Sequence, residues 1–322
     1  MSRGVSEVPN LNDHYDVVIV GGGPAGLSVG LNLVRAHRRV LILDSNRPRH
    51  SATLVSHGFL TRDGVSPLEL RALGRAEFEA YPSAEFHQGT VGSITAVDTA
   101  PDAPPLFAVT SRGVRGSADR DLTASVVVLA SGLAETLPAL PSIRAYYGTS
   151  LHSCIECDAF EKSEGALALI GTTPDLAERA LLISQATDDL VVFTNGSPDA
   201  VTPAEEAGLA SRGIRVERRA LADVVGDRSG LTAVVLADGT EVPRDGGFVR
   251  PLWSVPLDFA SSLPIERDGE GHVLVDERGA TSVTGLFAAG DTTPPGPQQL
   301  IVAAGAGARV AASVNRYLLG PL

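Results

Sequence analysis

Cys154-Ile155-Glu156-Cys157-Asp158 holds the only two cysteines of the protein. Outside secreted and metal-binding settings, a C-x-x-C pair reads as a dithiol/disulfide couple that carries two electrons. The thiolate is the reactive form, and a helix N-terminus favours it. Glu156 stands between the two sulfurs, and a neighbouring carboxylate is expected to raise the thiol pKa values and slow thiolate formation. Two other readings stay open on these residues alone. One is half of a zinc site with His152 as third ligand, for which no fourth ligand is evident. The other is a pair of inert buried thiols.

A redox pair needs a source and a sink for its electrons, and the N-terminal residues supply a candidate. Tyr15-Asp-Val-Val-Ile-Val20 is a short β-branched run of the kind that forms a buried parallel strand. Gly21-Gly-Gly-Pro-Ala-Gly26 follows, then a helical pattern from Leu27 to about Ala36, then a second strand, Arg39–Asp44. This is G-x-G-x-x-G at Gly21, Gly23 and Gly26, with Pro24 and Ala25 completing the turn. The first glycine permits the tight turn, the second lets the backbone approach a pyrophosphate, and the third lets helix and strand pack closely. The helix N-terminus offers free N–H groups to phosphate. Asp44 stands where a carboxylate takes a ribose hydroxyl pair. The pattern predicts a dinucleotide site; a glycine turn without a ligand is the bland alternative.

Two later stretches bear on which dinucleotide. Val126–Gly132 is a strand running into the turn Ala130-Ser131-Gly132, and Thr284–Asp291 is a strand ending in Gly290-Asp291. With these three spaced motifs the sequence resembles the two-dinucleotide-binding flavoproteins, in which such a Gly-Asp approaches the ribitol and pyrophosphate of FAD. The resemblance implies FAD rather than NAD at the first site. It also implies that Gln299 and the backbone of Leu300, at the start of the last helix, meet the isoalloxazine or ribitol, where a helix N-terminus stabilises negative charge on reduced flavin.

From about Leu133 the pattern restarts. Pro138 and Pro141 mark a linker. The C-x-x-C follows, then a strand at Ala166–Ile170, Gly171 as a turn, a helix at Asp175–Ala186 and a strand at Leu190–Thr194. The expected fold is α/β: an FAD domain in two halves, 1–132 and 245–322, with a smaller nicotinamide-type domain, 133–244, inserted between them. A mid-sequence C-x-x-C in such an insert resembles low-molecular-weight thioredoxin reductase over nearly the whole length, and C-x-x-C-D is matched by Cys154, Cys157 and Asp158. The resemblance implies that Cys157 faces the flavin as a charge-transfer thiolate, that Cys154 exchanges with the substrate disulfide, that Asp158 is the acid/base, and that the protein is a homodimer.

The second turn departs from that family. It reads Gly171-Thr-Thr-Pro-Asp-Leu-Ala177, with only its first glycine and closing alanine in place. Thr173 puts a hydroxyl and a methyl where backbone should approach pyrophosphate, and after the next strand no arginine appears until Arg212. An arginine clamp on a 2′-phosphate is a large favourable contact, so NAD(P)H use is expected to be lost or weak. Family members that lack the nicotinamide site include the dithiol oxidases of gliotoxin and holomycin biosynthesis, and the stretches Ser56–Gly64 and Pro297–Gly305 look like that branch. Those oxidases often carry histidine after the second cysteine, whereas Asp158 is reductase-like. The expected activity is FAD-dependent thiol–disulfide exchange, preferentially dithiol oxidation, on a small-molecule or thioredoxin-like dithiol. The alternatives are an NAD(P)H-dependent thioredoxin reductase, a reductase fed by ferredoxin or another protein, and a flavin-bound redox sensor.

Elsewhere the residues say less. His50 and His57, in a loop-like stretch Arg47–Phe59, are candidate acid/base groups or ordinary surface histidines. Ser66–Tyr81 reads as an amphipathic helix entered through Pro67, and Gly89–Gly116 as a β-meander with Pro101, Pro104 and Pro105 in a loop. Trp253 either covers a substrate groove or packs. Pro294–Pro297 reads as a rigid bend. The small residues of Ala303–Ala312 suit close packing on the flavin or on a dimer partner. Of the 322 residues 43% are hydrophobic and 20% charged, enough for two real cores. A net charge of −12 argues against nucleic acid or an anionic membrane as partner. Met1–His14 is polar and no run reaches the ~18 apolar residues of a membrane span, so neither a secretory signal nor a span is expected. A cytoplasmic location is the default, where a C-x-x-C is seldom a static staple.

Overall fold

Apolar, β-branched runs become fully covered parallel strands in two units of the protein. The structure, a computed structural model, describes residues 13–100, 103–294 and 296–320. Most of the polar N-terminal stretch, Pro101 of the expected loop and Pro295 of the expected bend lie outside the described residues, as does the imidazole of His50.

The first unit gathers residues 1–49, 68–134 and 254–322. Its parallel strands are His14–Val20, Val40–Asp44, the first half of Ala84–Ala96, Arg120–Leu129 and Leu286–Ala288. Val17–Val20 lies between Val40–Leu43 on one side and Val126–Leu129 on the other. The second half of Ala84–Ala96 turns antiparallel onto Phe107–Gly113, which returns to Arg120–Leu129 and closes the expected meander. Helix Pro24–Arg35 and the long helix Leu300–Leu319 cover one face through Leu27, Val29, Leu33, Val310 and Val314. The small residues of the last helix serve that contact. A Cβ on Gly307 would stand 2.3 Å from the Ala25 carbonyl oxygen, so glycine there is what lets the two helices touch.

The second unit gathers residues 50–67 and 135–253. Five parallel strands run in the order Arg215–Glu217, Leu190–Phe193, Leu167–Ile170, Gly246–Val249 and Leu151–His152. Leu167–Ile170 and Leu190–Phe193 are buried at every position, as strands covered on both faces must be. A three-stranded antiparallel sheet, Leu221–Asp227, Gly230–Leu236 and Glu241–Pro243, packs alongside through Val224, Val234 and Leu236.

Two boundaries differ from those the sequence pattern suggests. The pattern ends the insert at 244, but Gly246–Val249 pairs in parallel with Leu167–Ile170 and belongs to the inserted sheet, which carries the unit to Trp253. The stretch 50–67, which precedes the insert in sequence, packs with it in space. Gly148, at φ +88°, leaves room for the Ala52 carbonyl, which a Cβ would meet at 1.9 Å. Both units are Rossmann-type α/β folds, as expected. Among the described residues no helix is long and apolar enough to cross a membrane.

Candidate active site

The first glycine turn is closed by backbone packed on backbone. Gly21 takes φ +109°, and a Cβ there would lie 2.2 Å from the Ala130 carbonyl oxygen; one on Gly26 would lie 1.9 Å from that of Gly21. A Cβ on Gly23, by contrast, would meet nothing within 4 Å. Two glycines are therefore needed for packing and the middle one faces open space, the arrangement a pyrophosphate requires. Pro24 opens helix Pro24–Arg35 without wasting a donor, with Gly23 as its N-cap.

The other expected cofactor contacts gather in the same unit. Ala130 is buried beside Gly21, the Gly132 N–H donates to Thr292 Oγ1 (2.8 Å), and the Ser131 hydroxyl is buried with no protein partner. Gly290, Asp291, Gln298, Val302 and Ala303 line a cavity of about 190 Å³; Gln299, the N-cap residue of the last helix, and Leu300, its first residue, follow Gln298 but do not line it. The orphaned Ser131 hydroxyl and the open space at Gly23 fit a bound dinucleotide. Two arginines that the sequence pattern does not reveal complete the lining. Arg71 donates to Asp44, to Asn46 Oδ1 (2.5 Å) and to the Gly22 carbonyl (3.1 Å). Arg49 donates to Asp291 Oδ2 at 2.6 Å. Asp44, 9% exposed, also accepts from the Gly22 N–H at 2.5 Å, so its carboxylate is held rigidly at the turn.

In the second unit Cys154 and Cys157 form a disulfide. Cys154 is the N-cap of a single helical turn, Ile155–Asp158, anchored by buried Ile155. Glu156 is exposed, its Oε2 3.9 Å from Cys154 Sγ. A cation stands against it: Arg179, from helix Leu176–Ile183, donates to the Ser153 carbonyl at 2.7 Å and feels the charge of Glu156. Burial, with Arg250 nearby, holds the Arg179 guanidinium below its ordinary pKa, and its Nε has no partner. Asp158 faces His152, Oδ1 to Nδ1 at 2.8 Å, and His152 Nε2 lies 2.7 Å from the Thr149 carbonyl. Lys162, the only lysine, donates to the same carbonyl at 3.3 Å. Burial pushes its ammonium pKa down, against the pull of Asp158 and Glu161. His152 is thus committed to Asp158, and among the described residues no group of three metal-ligating residues exists. His57 lies 3.4 Å from Glu161 and 3.5 Å from Asp63, long for hydrogen bonds. Trp253 is half-buried on the strand Leu252–Ser254.

A family model described as pyridine nucleotide-disulphide oxidoreductase matches residues 15–307. The protein belongs to this family. It is 34% identical to the solved structure of HlmI, with a TM-score of 0.87, over 95% of its own length and 93% of that of HlmI. It is 27% identical over 319 residues to thioredoxin reductase sirT of Leptosphaeria maculans, 95% of each protein. Against a probable thioredoxin reductase from Arthroderma benhamiae the match is 31% over 187 residues, which span 45% of that protein's length. The fold and family together make this a thioredoxin reductase-like, FAD-dependent disulfide oxidoreductase.

Side chains hold the second glycine turn in place. Arg250, at the end of Gly246–Val249, lies across Gly171: a Cβ on that glycine would be 2.8 Å from Arg250 Cβ. The Arg250 Nε donates to Asp175 Oδ2 at 2.7 Å, and the Thr173 hydroxyl donates to Asp175 Oδ1 at 2.6 Å. Burial alone would raise the Asp175 pKa, but the Thr173 hydrogen bond and the Arg250 charge outweigh it and hold the carboxyl below its ordinary value. Arg250 and Arg179 are the cations that the local sequence lacks at this turn. They arrive from a neighbouring strand and the following helix, where no local spacing announces them.

Proposed function

We propose that this enzyme oxidises dithiols, with weak or absent use of NAD(P)H. The observation that carries the reading is the second turn, where Thr173 stands in place of the second glycine and both its hydroxyl and Arg250 are tied to Asp175. Gly21, Gly23, Pro24, Ala25, Gly26, Asp44, Ala130, Gly132, Gly290, Asp291, Gln299 and Leu300 hold FAD. Bound FAD supplies a two-electron acceptor that oxygen can reoxidise. A substrate thiolate attacks Cys154; the Cys154–Cys157 bond breaks and Cys157 leaves as thiolate. The second substrate thiolate then attacks the substrate sulfur of the mixed disulfide and releases Cys154, with Asp158 managing the protons. The substrate is a small-molecule or thioredoxin-like dithiol, and the enzyme works as a cytoplasmic homodimer.

A second reading, an NAD(P)H-dependent thioredoxin reductase, draws on the same turn, because Arg250 and Arg179 bring two cations to it. Anaerobic addition of NADPH, then NADH, while flavin absorbance is followed, separates the two. The expected result is no rapid bleaching with either, bleaching on addition of a dithiol, and recovery on admission of air. Rapid bleaching by a nicotinamide moves the enzyme to the reductases. Failure to bleach with dithiol as well points to a protein electron donor or a redox sensor.

A further inference from the structure

His152 and Asp158 are held in a geometry that fixes how many protons they share. The Thr149 carbonyl can only accept, so His152 Nε2 carries a hydrogen toward it across 2.7 Å. A neutral imidazole with its hydrogen on Nε2 has a bare lone pair at Nδ1. Yet Nδ1 lies 2.8 Å from Asp158 Oδ1, a distance that needs a hydrogen between them. The pair therefore holds one further proton, written either as imidazolium with carboxylate or as imidazole with carboxylic acid. Both groups are largely covered, 11% and 14% exposed. Asp158 ends the single helical turn that Cys154 caps.

We propose that His152 is the positioning residue of Asp158, and that the proton the two share is the one given to a departing thiolate in exchange at Cys154–Cys157. This rests on the thiol–disulfide reading above. When the second substrate thiolate attacks the mixed disulfide, a substrate S–S bond forms and the bond to Cys154 breaks. The substrate has lost two electrons and the enzyme pair has gained them. Cys154 leaves as a thiolate and takes the shared proton, and the proton lost by the second substrate thiol refills the pair. The other charged groups facing the pair are Lys162, which donates to the Thr149 carbonyl, and Glu161 beside it. Glu156 and Arg179 stand on the Cys154 side.

The test uses the holoenzyme without oxygen or nicotinamide. Its disulfide is reduced with dithiothreitol, and Cys154 and Cys157 thiols are trapped by alkylation at short times across a pH series. His152→Gln keeps a donor toward Thr149 but holds no titrating proton. It is expected to slow exchange about tenfold to a hundredfold. Asp158→Asn should slow exchange at least as much, and adding His152→Gln to it should cost nothing further. If His152→Gln unfolds, His152→Asn, which can still donate to Asp158, carries the same comparison. An unchanged exchange rate in His152→Gln, or losses that multiply in the double variant, overturns the proposal. Because trapping reads the disulfide directly, it gives the same answer whichever way the enzyme runs; only absence of any exchange at Cys154 speaks against the function itself.

Discussion

The two glycine turns, Gly21–Gly26 and Gly171–Ala177, follow similar strands and open similar helices, yet different groups close them. At Gly23 a Cβ would meet nothing within 4 Å, whereas the matching position of the second turn carries Thr173, whose hydroxyl donates to Asp175. The first turn is closed by backbone, Gly21 against Ala130 and Gly26 against Gly21. The second is closed by side chains: Thr173 and Arg250 both engage Asp175. A strand–turn–helix unit keeps its fold because the apolar strand and the helix face are buried in either case. Ligand binding depends on a few positions being empty, and those can fill without disturbing the core. The difference predicts where each turn breaks.

The largest effect belongs to Gly26→Ala. The new methyl would have to displace the Gly21 carbonyl inside the turn, at a cost of about 3 kcal/mol or more. The variant should purify colourless with a clearly lowered Tm; a yellow, normally stable variant would contradict the packing described for this turn. Gly23→Ala sharpens the contrast. Its φ of −81° suits alanine and its Cβ faces open space, so apoprotein stability should change by no more than ~1 kcal/mol. Flavin affinity should nevertheless fall about tenfold, or 1.4 kcal/mol, because the methyl stands where phosphate approaches. Equilibrium dialysis against FAD reads the loss, and unchanged affinity would mean that the cofactor does not approach Gly23.

What is legible in the sequence is what is local. The G-x-G-x-x-G turn, its strands and helix, and the C-x-x-C-D turn each lie within a few tens of residues and depend on period and glycine placement. What stays hidden is tertiary. Arg71 reaches Asp44 from 27 positions away, Arg250 reaches Asp175 from 75, and Arg49 reaches Asp291 from 242. No arginine directly follows Leu190–Phe193, which is a correct local observation, but cations come to the turn by another route. Gly246–Val249 falls on the wrong side of the sequence boundary for a related reason: a short apolar strand reads the same in either sheet, and only its pairing with Leu167–Ile170 decides. From spacing alone His152 is no more than a possible zinc ligand, because its partner lies beyond the disulfide.

Arg250→Ala tests whether that cation obstructs the second turn or serves it. Its ion pair with Asp175 is partly exposed, 20% and 34%, so removal should cost about 1 kcal/mol or less. Dithiol-driven bleaching should be unchanged. Any residual nicotinamide-driven bleaching should be undiminished, since the space over Gly171 opens. A drop in nicotinamide-driven bleaching would instead identify Arg250 as a phosphate ligand and favour the reductase reading.

The smallest effect is a pH dependence localised to the same turn. The folded-state pKa of Asp175 is lowered, so the ionised carboxylate binds its partners better than the acid does. Its contribution is fully present above the ordinary aspartate value, near ~4, and is lost as pH falls through the lowered folded value. Many carboxylates titrate over that range, so the useful quantity is the difference between wild type and Asp175→Asn. In urea unfolding the variant should be the less stable of the two at about pH 6, and the gap should close as the pH is brought from about 5 toward 3. The first turn supplies the control: Gly23→Ala, which touches no titrating group, should differ from wild-type apoprotein by the same amount at every pH. A gap between wild type and Asp175→Asn that does not narrow in acid would mean that Asp175 holds the second turn by hydrogen-bond geometry, which asparagine lacks, and not by its charge on Arg250.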